Sequence, residues 1–328
     1  MSRQTPIAEW TAAETDVLAR ATLRAPSVHN IQPWRLEIDG ERVLLTERQD
    51  VAVMHHDPAG RDRTISCGTA LLNLELGMRA LGRRISTSLL PDPMRPEVVA
   101  TVTVRGHAVP QAADLHLYSA ISRRRSYRLP FNGVPVSDYD LADLLAAAGV
   151  SGVRARPVRD EIELGVVADQ LERAAHAYQH NIGYQRELSM WTIRDERSHR
   201  HGAGIAASCI PPGSLPWAGL IRPATALPDR MVLRRRLADE TLLVFVTDGD
   251  SRADHLHAGY ALERAWLTAV DAGLAASVLT QPLHLGEFRA ALRDELELRG
   301  YPQALLRVGH ASGAAPPSPR RGVGELLR

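Results

Sequence analysis

The feature that most constrains the fold is that the chain states one order of elements twice. Thr11-Ala12-Ala13-Glu14 has capping-box spacing and opens a helix to about Leu23. Leu36-Glu37-Ile38 and Val43-Leu44-Leu45 flank Asp39-Gly40 as a hairpin. Thr64 to Leu81 reads as a helix apolar nearly all round, which must be buried, and Val98–Val104 alternates as a strand. The order then returns: a helix capped by Ser137 and carried by Leu141, Leu144 and Leu145, a helical period from Ile162 to Tyr178, an apolar strand Thr241–Thr247, an apolar helix from His255 to Gly273 and a strand Leu305–Val308. Leu18-Ala19 matches Leu141-Ala142, and Cys67-Gly68-Thr69-Ala70-Leu71 matches Ala258-Gly259-Tyr260-Ala261-Leu262. The second pair of matches is spaced more widely than the first, so the second half carries an insertion at about residues 180–240. Pro211-Pro212-Gly213, Pro216, Pro223 and Pro228 interrupt that stretch, and Trp191 and Trp217 give it something to pack with. A segment of that length is expected to act as a lid or clamp.

The two halves are not interchangeable. Ala25-Pro26-Ser27-Val28-His29-Asn30-Ile31-Gln32-Pro33-Trp34-Arg35 sets polar side chains between two prolines, which fix φ and stop the preceding helix. The expectation is a stiff, exposed turn that presents Ser27, His29, Asn30 and Gln32 to a planar polar ligand, or else only caps backbone. Its counterpart around Gly149–Pro157 lacks the polar set. Conversely, Ser122-Arg123-Arg124-Arg125-Ser126-Tyr127-Arg128 precedes the helix of the second half and has no counterpart in the first. A single composite site between the halves explains this division, and so does ordinary drift after duplication.

Composition bounds the classes. Lys+Arg of 39 against Asp+Glu of 38 leaves +1, so no global field points to nucleic acid or an anionic membrane. Cys67 and Cys209 are too few for a disulfide framework and suit a reducing compartment, and no apolar run has spanning length; a cytoplasmic location follows as an expectation. His55-His56, His199-x-His201 and His255-x-His257 lack the spacing of a metal site, so no metal is expected. Cys67 reads first as a core thiol. Arg234-Arg235-Arg236 reads as a solvated face and Pro316-Pro317-Ser318-Pro319 as an extended tail. No P-loop, G-x-G-x-x-G or G-x-S-x-G is present.

The A-P-S-x-x-N-x-Q-P-W segment at Ala25–Trp34, the Arg-Ser motif (Arg124, Ser126, Arg128), the Gly273-Leu274-Ala275-Ala276-Ser277 turn and the basic pair Arg320-Arg321 together resemble the flavin-dependent nitroreductase superfamily, and within it the Acg-type branch of fused pseudo-dimers. The resemblance implies an α+β fold of two nitroreductase-like halves, residues 1–118 and 119–328, packed as an intramolecular pseudo-dimer with a lid in the second half. It implies one FMN per chain, with Arg124, Ser126, Arg128, Leu274, Ala275, Ala276, Ser277, Arg320 and Arg321 from the second half and Pro26, Ser27, His29, Asn30 and Gln32 from the first. Arginine forks and a hydroxyl suit the phosphate, and amides such as Asn30 and Gln32 match the acceptor-donor-acceptor edge of the flavin ring. Backbone N–H groups around Ala275-Ala276 would face the flavin N5 and O4. The implied activity is hydride transfer through N5 to or from an unidentified small molecule, with NADH or NADPH as candidate donor. The alternative is a protein that sequesters FMN under a closed lid. Neither needs a catalytic side chain; His29 and Cys67 are only nearby candidates. The pseudo-dimer can stand alone as a monomer, and a further homodimer stays open.

Overall fold

The computed structural model describes residues 10–51, 53–193, 202–216 and 221–327. The first half runs α1 (Ala12–Leu23), β1 (Trp34–Asp39), β2 (Arg42–Glu47), α2 (Arg61–Ala80), β3 (Arg83–Leu89) and β4 (Val98–His107). Both elements of the Thr11/Glu14 capping box form, and Gly40 takes the left-handed φ of 55° that the β1–β2 turn requires. A helix α3 (Ala112–Arg123) leads to α4 (Asp138–Ala148) and β5 (Val153–Pro157). After these come α5 (Glu161–His180), α6 (Ile182–Met190), the short parallel pair β6 (Thr192–Ile193) and β7 (Ile205–Ala206), and α7 (Arg230–Leu237). The chain ends through β8 (Thr241–Thr247), α8 (Arg252–Asp271), β9 (Ala275–Leu279), α9 (Gln281–His284), α10 (Gly286–Glu295), β10 (Tyr301–Gly309) and α11 (Val323–Leu326).

Two four-stranded antiparallel sheets result, ordered β1-β2-β4-β3 and β5-β8-β10-β9, which is one topology written twice. Helices α2 and α8 lie between them, and their closest approach falls on the matched glycines. A Cβ on Gly68 would stand 2.1 Å from the Leu256 carbonyl oxygen, and one on Gly259 1.9 Å from that of Ile65. Only glycine admits that backbone contact. One core joins α8, the inner face of the second sheet and Ile65, Leu72 and Leu76 of α2; another joins the first sheet to Leu71, Leu74 and Met78. Burial on both sides explains why α2 has no polar stripe. After β10 the tail crosses to the first half, where Leu326 enters the core and Leu327 bridges Leu36 beside β1.

Three expectations change. The connection that is a two-residue turn between β1 and β2 becomes residues 158–240 between β5 and β8, so α5 belongs to the insertion, which is longer than about 180–240. Its helical period matches the repeat by pattern alone. Second, residues 275–279 form the edge strand β9 rather than a turn, and only Gly273, at φ 78°, keeps turn geometry. Alanine-rich segments carry little strand propensity. Third, the counterparts of the polar turn at Val153, Ala155 and Pro157 are β5 itself, because α4 reaches the sheet without a turn of comparable length. Trp217, His199 and His201 lie outside the described residues. Among those described, no helix is long and apolar enough to cross a membrane.

Candidate functional site

The polar turn joins α1 to β1 and lies on α2. His29, Asn30 and Gln32 have φ of 45°, 55° and 51°, a left-handed run without glycine that costs roughly 1–3 kcal/mol per residue unless its surroundings hold it. They do. Gln32 N donates to Ser27 Oγ (3.0 Å), Val28 N to Ser66 Oγ (3.2 Å), and Thr69 Oγ1 to the Pro26 carbonyl (2.8 Å). The turn is therefore buried rather than exposed, and its kink divides its side chains. Pro26, Ser27, Val28 and His29 line a cleft that encloses about 860 Å³ of non-atom space, open solvent at its mouth included. Asn30 and Gln32 turn away from it. Asn30 Nδ2 donates to the carbonyls of Gly204 (2.9 Å) and Pro319 (3.0 Å), and its Oδ1 accepts from Arg320 (3.0 Å). Gln32 Nε2 donates to Gly202 O (2.8 Å) and its Oε1 accepts from Arg321 N (3.0 Å). Their amides thus tie the insertion and the tail to the turn, and neither lines the cleft, contrary to the expectation that they match a flavin edge.

The Arg-Ser segment leaves α3 at Arg124 and runs beside β9. Ser126 bridges Ala276, and Tyr127 N donates to Ala276 O (2.9 Å). Ser126, Arg128, Ser277, Val278 and Thr280 consequently form the wall facing the polar turn, with Ile65, Leu262, Trp266 and Ile205 of the insertion between. Arg307 holds this wall in place. It is fully buried on β10, ion-paired with Glu240, and donates to the carbonyls of Tyr127 (2.9 Å) and Leu129 (3.1 Å) and to Ser277 Oγ (3.3 Å). Its signal in the sequence is an arginine inside the apolar run Leu305–Val308. Leu274 and Ala276 sit in the hydrophobic core, and Ala275 on β9 is only partly buried; none of the three is on the cleft wall. Cys67 is a core thiol donating to Pro33 O, its pKa raised well above normal by burial, so it is no candidate beside the cleft.

The cleft has two chemically different ends. At one, Arg128 and Trp266 line the cleft, and Arg124, which is not itself on the wall, stacks on Trp266 (4.5 Å), donates to Arg24 O (2.9 Å) and lies 3.4 Å from the fully buried Glu263. Arg124 Nε and Nη1 and Arg320 Nε are buried without hydrogen-bond partners among the described residues. Burial, then repulsion from Arg124, Arg24 and Arg125, lowers the Arg320 pKa to about 9. Burial likewise lowers Arg128 and raises Glu263 to about 7. This is a buried cluster of arginines around a single carboxyl, Glu263. Arg321 is not part of it, since it pairs with Glu325 (3.1 Å).

At the other end, His29 meets His56 edge to face and His56 lies tilted against His284, with ring centroids 4.3 Å (His29–His56) and 4.0 Å (His56–His284) apart. Burial holds His29 and His284 down at about 3 and His56 well below its normal value, so all three are neutral. Asp62, the second residue of α2, brings Oδ2 to 3.3 Å from His284 Nε2. The sequence singles out His29, and His56 only within a histidine pair that lacks metal-site spacing; His284 and Asp62 carry no local motif.

The chain matches the model of the Nitroreductase family over residues 121–310. It is 35% identical over 324 residues to Rv3131 of Mycobacterium tuberculosis, a protein provisionally named an NAD(P)H nitroreductase, covering 93% of this chain and 88% of that one. It is 30% identical over 348 residues to the protein acg of the same organism, provisionally named likewise, with 97% of each covered. Among solved structures it is similar to the FMN- and NADPH-dependent nitroreductase NfnB from a Sphigopyxis strain, at 20% identity and a TM-score of 0.41 over 65% of this chain and 97% of that one.

Proposed function

Because this chain belongs to the nitroreductase family, we propose that it is an FMN-binding oxidoreductase that uses NADH or NADPH as donor, built as a pseudo-dimer with one composite cofactor site per chain. The observation that carries this reading is the two-ended cleft, whose walls come from both halves. The first half supplies Pro26, Ser27 and His29 and the second supplies Ser126, Arg128 and Ser277. The residues present fit the cofactor. The Arg128 guanidinium and Ser126 hydroxyl on the cleft wall suit a phosphate of nearly two charges, with unpartnered N–H groups of Arg124 and Arg320 in the same cationic cluster, and Trp266, Leu262, Ile65 and Val28 give an apolar wall for a ring. FMN bound there supplies hydride transfer through N5. The chain's part is to hold, orient and shield. Arg128 and Ser126 grip the anionic end, Arg307 keeps the Arg-Ser segment against β9, and Ile205 of the insertion closes one side. The second topology supports the pseudo-dimer: the same strand order and the Gly68–Gly259 contact are what an internal two-fold would give.

A second reading is favoured by one observation. Asn30 and Gln32 fasten Gly202 and Gly204 of the insertion next to Ile205, which lines the cleft, and this suits a protein that keeps FMN sequestered with little turnover. One experiment separates the two and tests both. The protein reconstituted with FMN should hold close to one per chain, and Arg128→Ala should weaken binding by about 1.5–3 kcal/mol, roughly 10- to 150-fold, in a fluorescence titration. Rapid loss of flavin absorbance under anaerobic NADH or NADPH supports the oxidoreductase; persistence of colour supports sequestration. Failure to bind FMN overturns both.

A further inference from the structure

At the imidazole end of the cleft, much hydrogen-bonding capacity is unspent. Both ring nitrogens of His56 and of His284, and Nε2 of His29, are buried without a hydrogen-bond partner among the described residues. The side chains of His284 and Asp62 are 2% and 3% exposed. Leaving a buried polar group unmatched is unfavourable, so several in contact call for an occupant.

We propose that His56, Asp62 and His284 form a site for a divalent first-row transition-metal cation, with one coordination position open to the cleft. One ligand atom from each lies within 4.8 Å of the other two, and His284 Nε2 is 3.3 Å from Asp62 Oδ2. Four ligands at about 2.0–2.2 Å from a tetrahedral zinc stand roughly 3.3 Å apart, so that edge is already set and the other two close by small rotations. The set of two imidazoles and one carboxylate selects zinc, iron(II) or cobalt(II) over magnesium or calcium, and over soft copper(I).

The surroundings hold the ligands as a metal site requires. Arg61 Nη2 binds the other carboxylate oxygen of Asp62 (2.9 Å) and leaves Oδ2 facing the histidines. Buried Glu187 accepts from the backbone N–H of both His55 and His56 (2.9 Å each) and fixes the His56 loop. Asp57, also buried, adds a second carboxylate against the charge of Arg61. Tyr178 and Tyr184 of the insertion cover the far side of His56, at ring distances of 6.2 and 5.7 Å. His56 and Asp62 line the cleft together with His29, so the uncovered direction is toward the ligand space. The ligands also span the molecule: His56 and Asp62 belong to the first half and His284 to the second. The site does not rest on the cofactor reading.

The test uses the full chain as purified, freed of any affinity tag, dialysed against buffered zinc, with bound metal counted by mass spectrometry and thermal unfolding followed in parallel. Wild type and His180→Ala, an exposed imidazole on α5, should each retain one zinc per chain and unfold at a higher temperature with zinc than without. His284→Ala and Asp62→Asn should bind zinc at least tenfold more weakly and lose that stabilisation. If His284→Ala fails to fold, the near-isosteric Asp62→Asn and the wild-type zinc shift still decide. Zinc absent from wild type, or retained equally by Asp62→Asn, overturns the proposal and leaves a water-filled polar pocket.

Discussion

Glu263 shows how one side chain can belong to a site and be governed by burial. It lies on α8 with no exposure, 3.4 Å from Arg124, yet desolvation outweighs that attraction and raises its pKa from 4.5 to about 7. A carboxyl raised on folding binds its proton more tightly in the native state. Its stabilising effect is therefore full below pH 4.5 and is lost as pH climbs to about 7. Glu263→Gln does not titrate, so the melting temperature of that variant relative to wild type should rise across this window and level off above it. A flat difference from about pH 4.5 to 7.5 would show that Arg124 already holds the carboxylate ionised. Arg124 carries two duties for the same reason. Its removal strands Glu263, so Arg128 rather than Arg124 reports cleanly on anion binding.

At the scale of elements, the α2–α8 crossing governs where the cleft walls stand. Both helices carry glycine where their backbones meet, and the approach of each to the opposite carbonyl leaves no room for a methyl group. Gly68→Ala or Gly259→Ala must push the helices apart. That overpacking should cost about 1–3 kcal/mol or more in chemical denaturation. FMN affinity should fall as well, since Ile65, Ser66 and Thr69 on α2 and Leu262 and Trp266 on α8 line the cleft within a few turns of the contact. Stability like wild type in both variants would mean that the helices cross less closely.

For the whole molecule, the three-way knot of polar turn, insertion and tail is the element through which the proposed function would control access. Asn30 and Gln32 hold Gly202, Gly204, Pro319 and Arg321, which come from segments far apart in the chain. An Asn30→Ala/Gln32→Ala double variant loses two amides at about 1 kcal/mol each, so FMN release should quicken roughly 30-fold if the knot limits exit. Stopped-flow fluorescence on release measures it. Unchanged release would place the barrier elsewhere, at the anion grip.

What the sequence alone determined is what is local or repeated. The capping box at Thr11, the hairpin at Gly40, the buried periods of α2 and α8 and the matched Gly68 and Gly259 all rest on neighbours in the chain, where propensity and periodicity act. Motif spacing also singles out the segments that form opposite cleft walls, Pro26–His29 and Ser126–Arg128. Other features were invisible because their cause is distant. β9 is a strand because β10 and the Arg-Ser segment flank it, not because Ala275 and Ala276 prefer one. Asn30 and Gln32 are amides that suit a ring edge in isolation, and only the arrival of Gly202, Gly204 and the tail, with the left-handed kink that turns them outward, makes them a clamp. His56, Asp62 and His284 share no motif at all. Packing two halves face to face brings them together, and burial, which no local window contains, strips them of water and holds the imidazoles neutral.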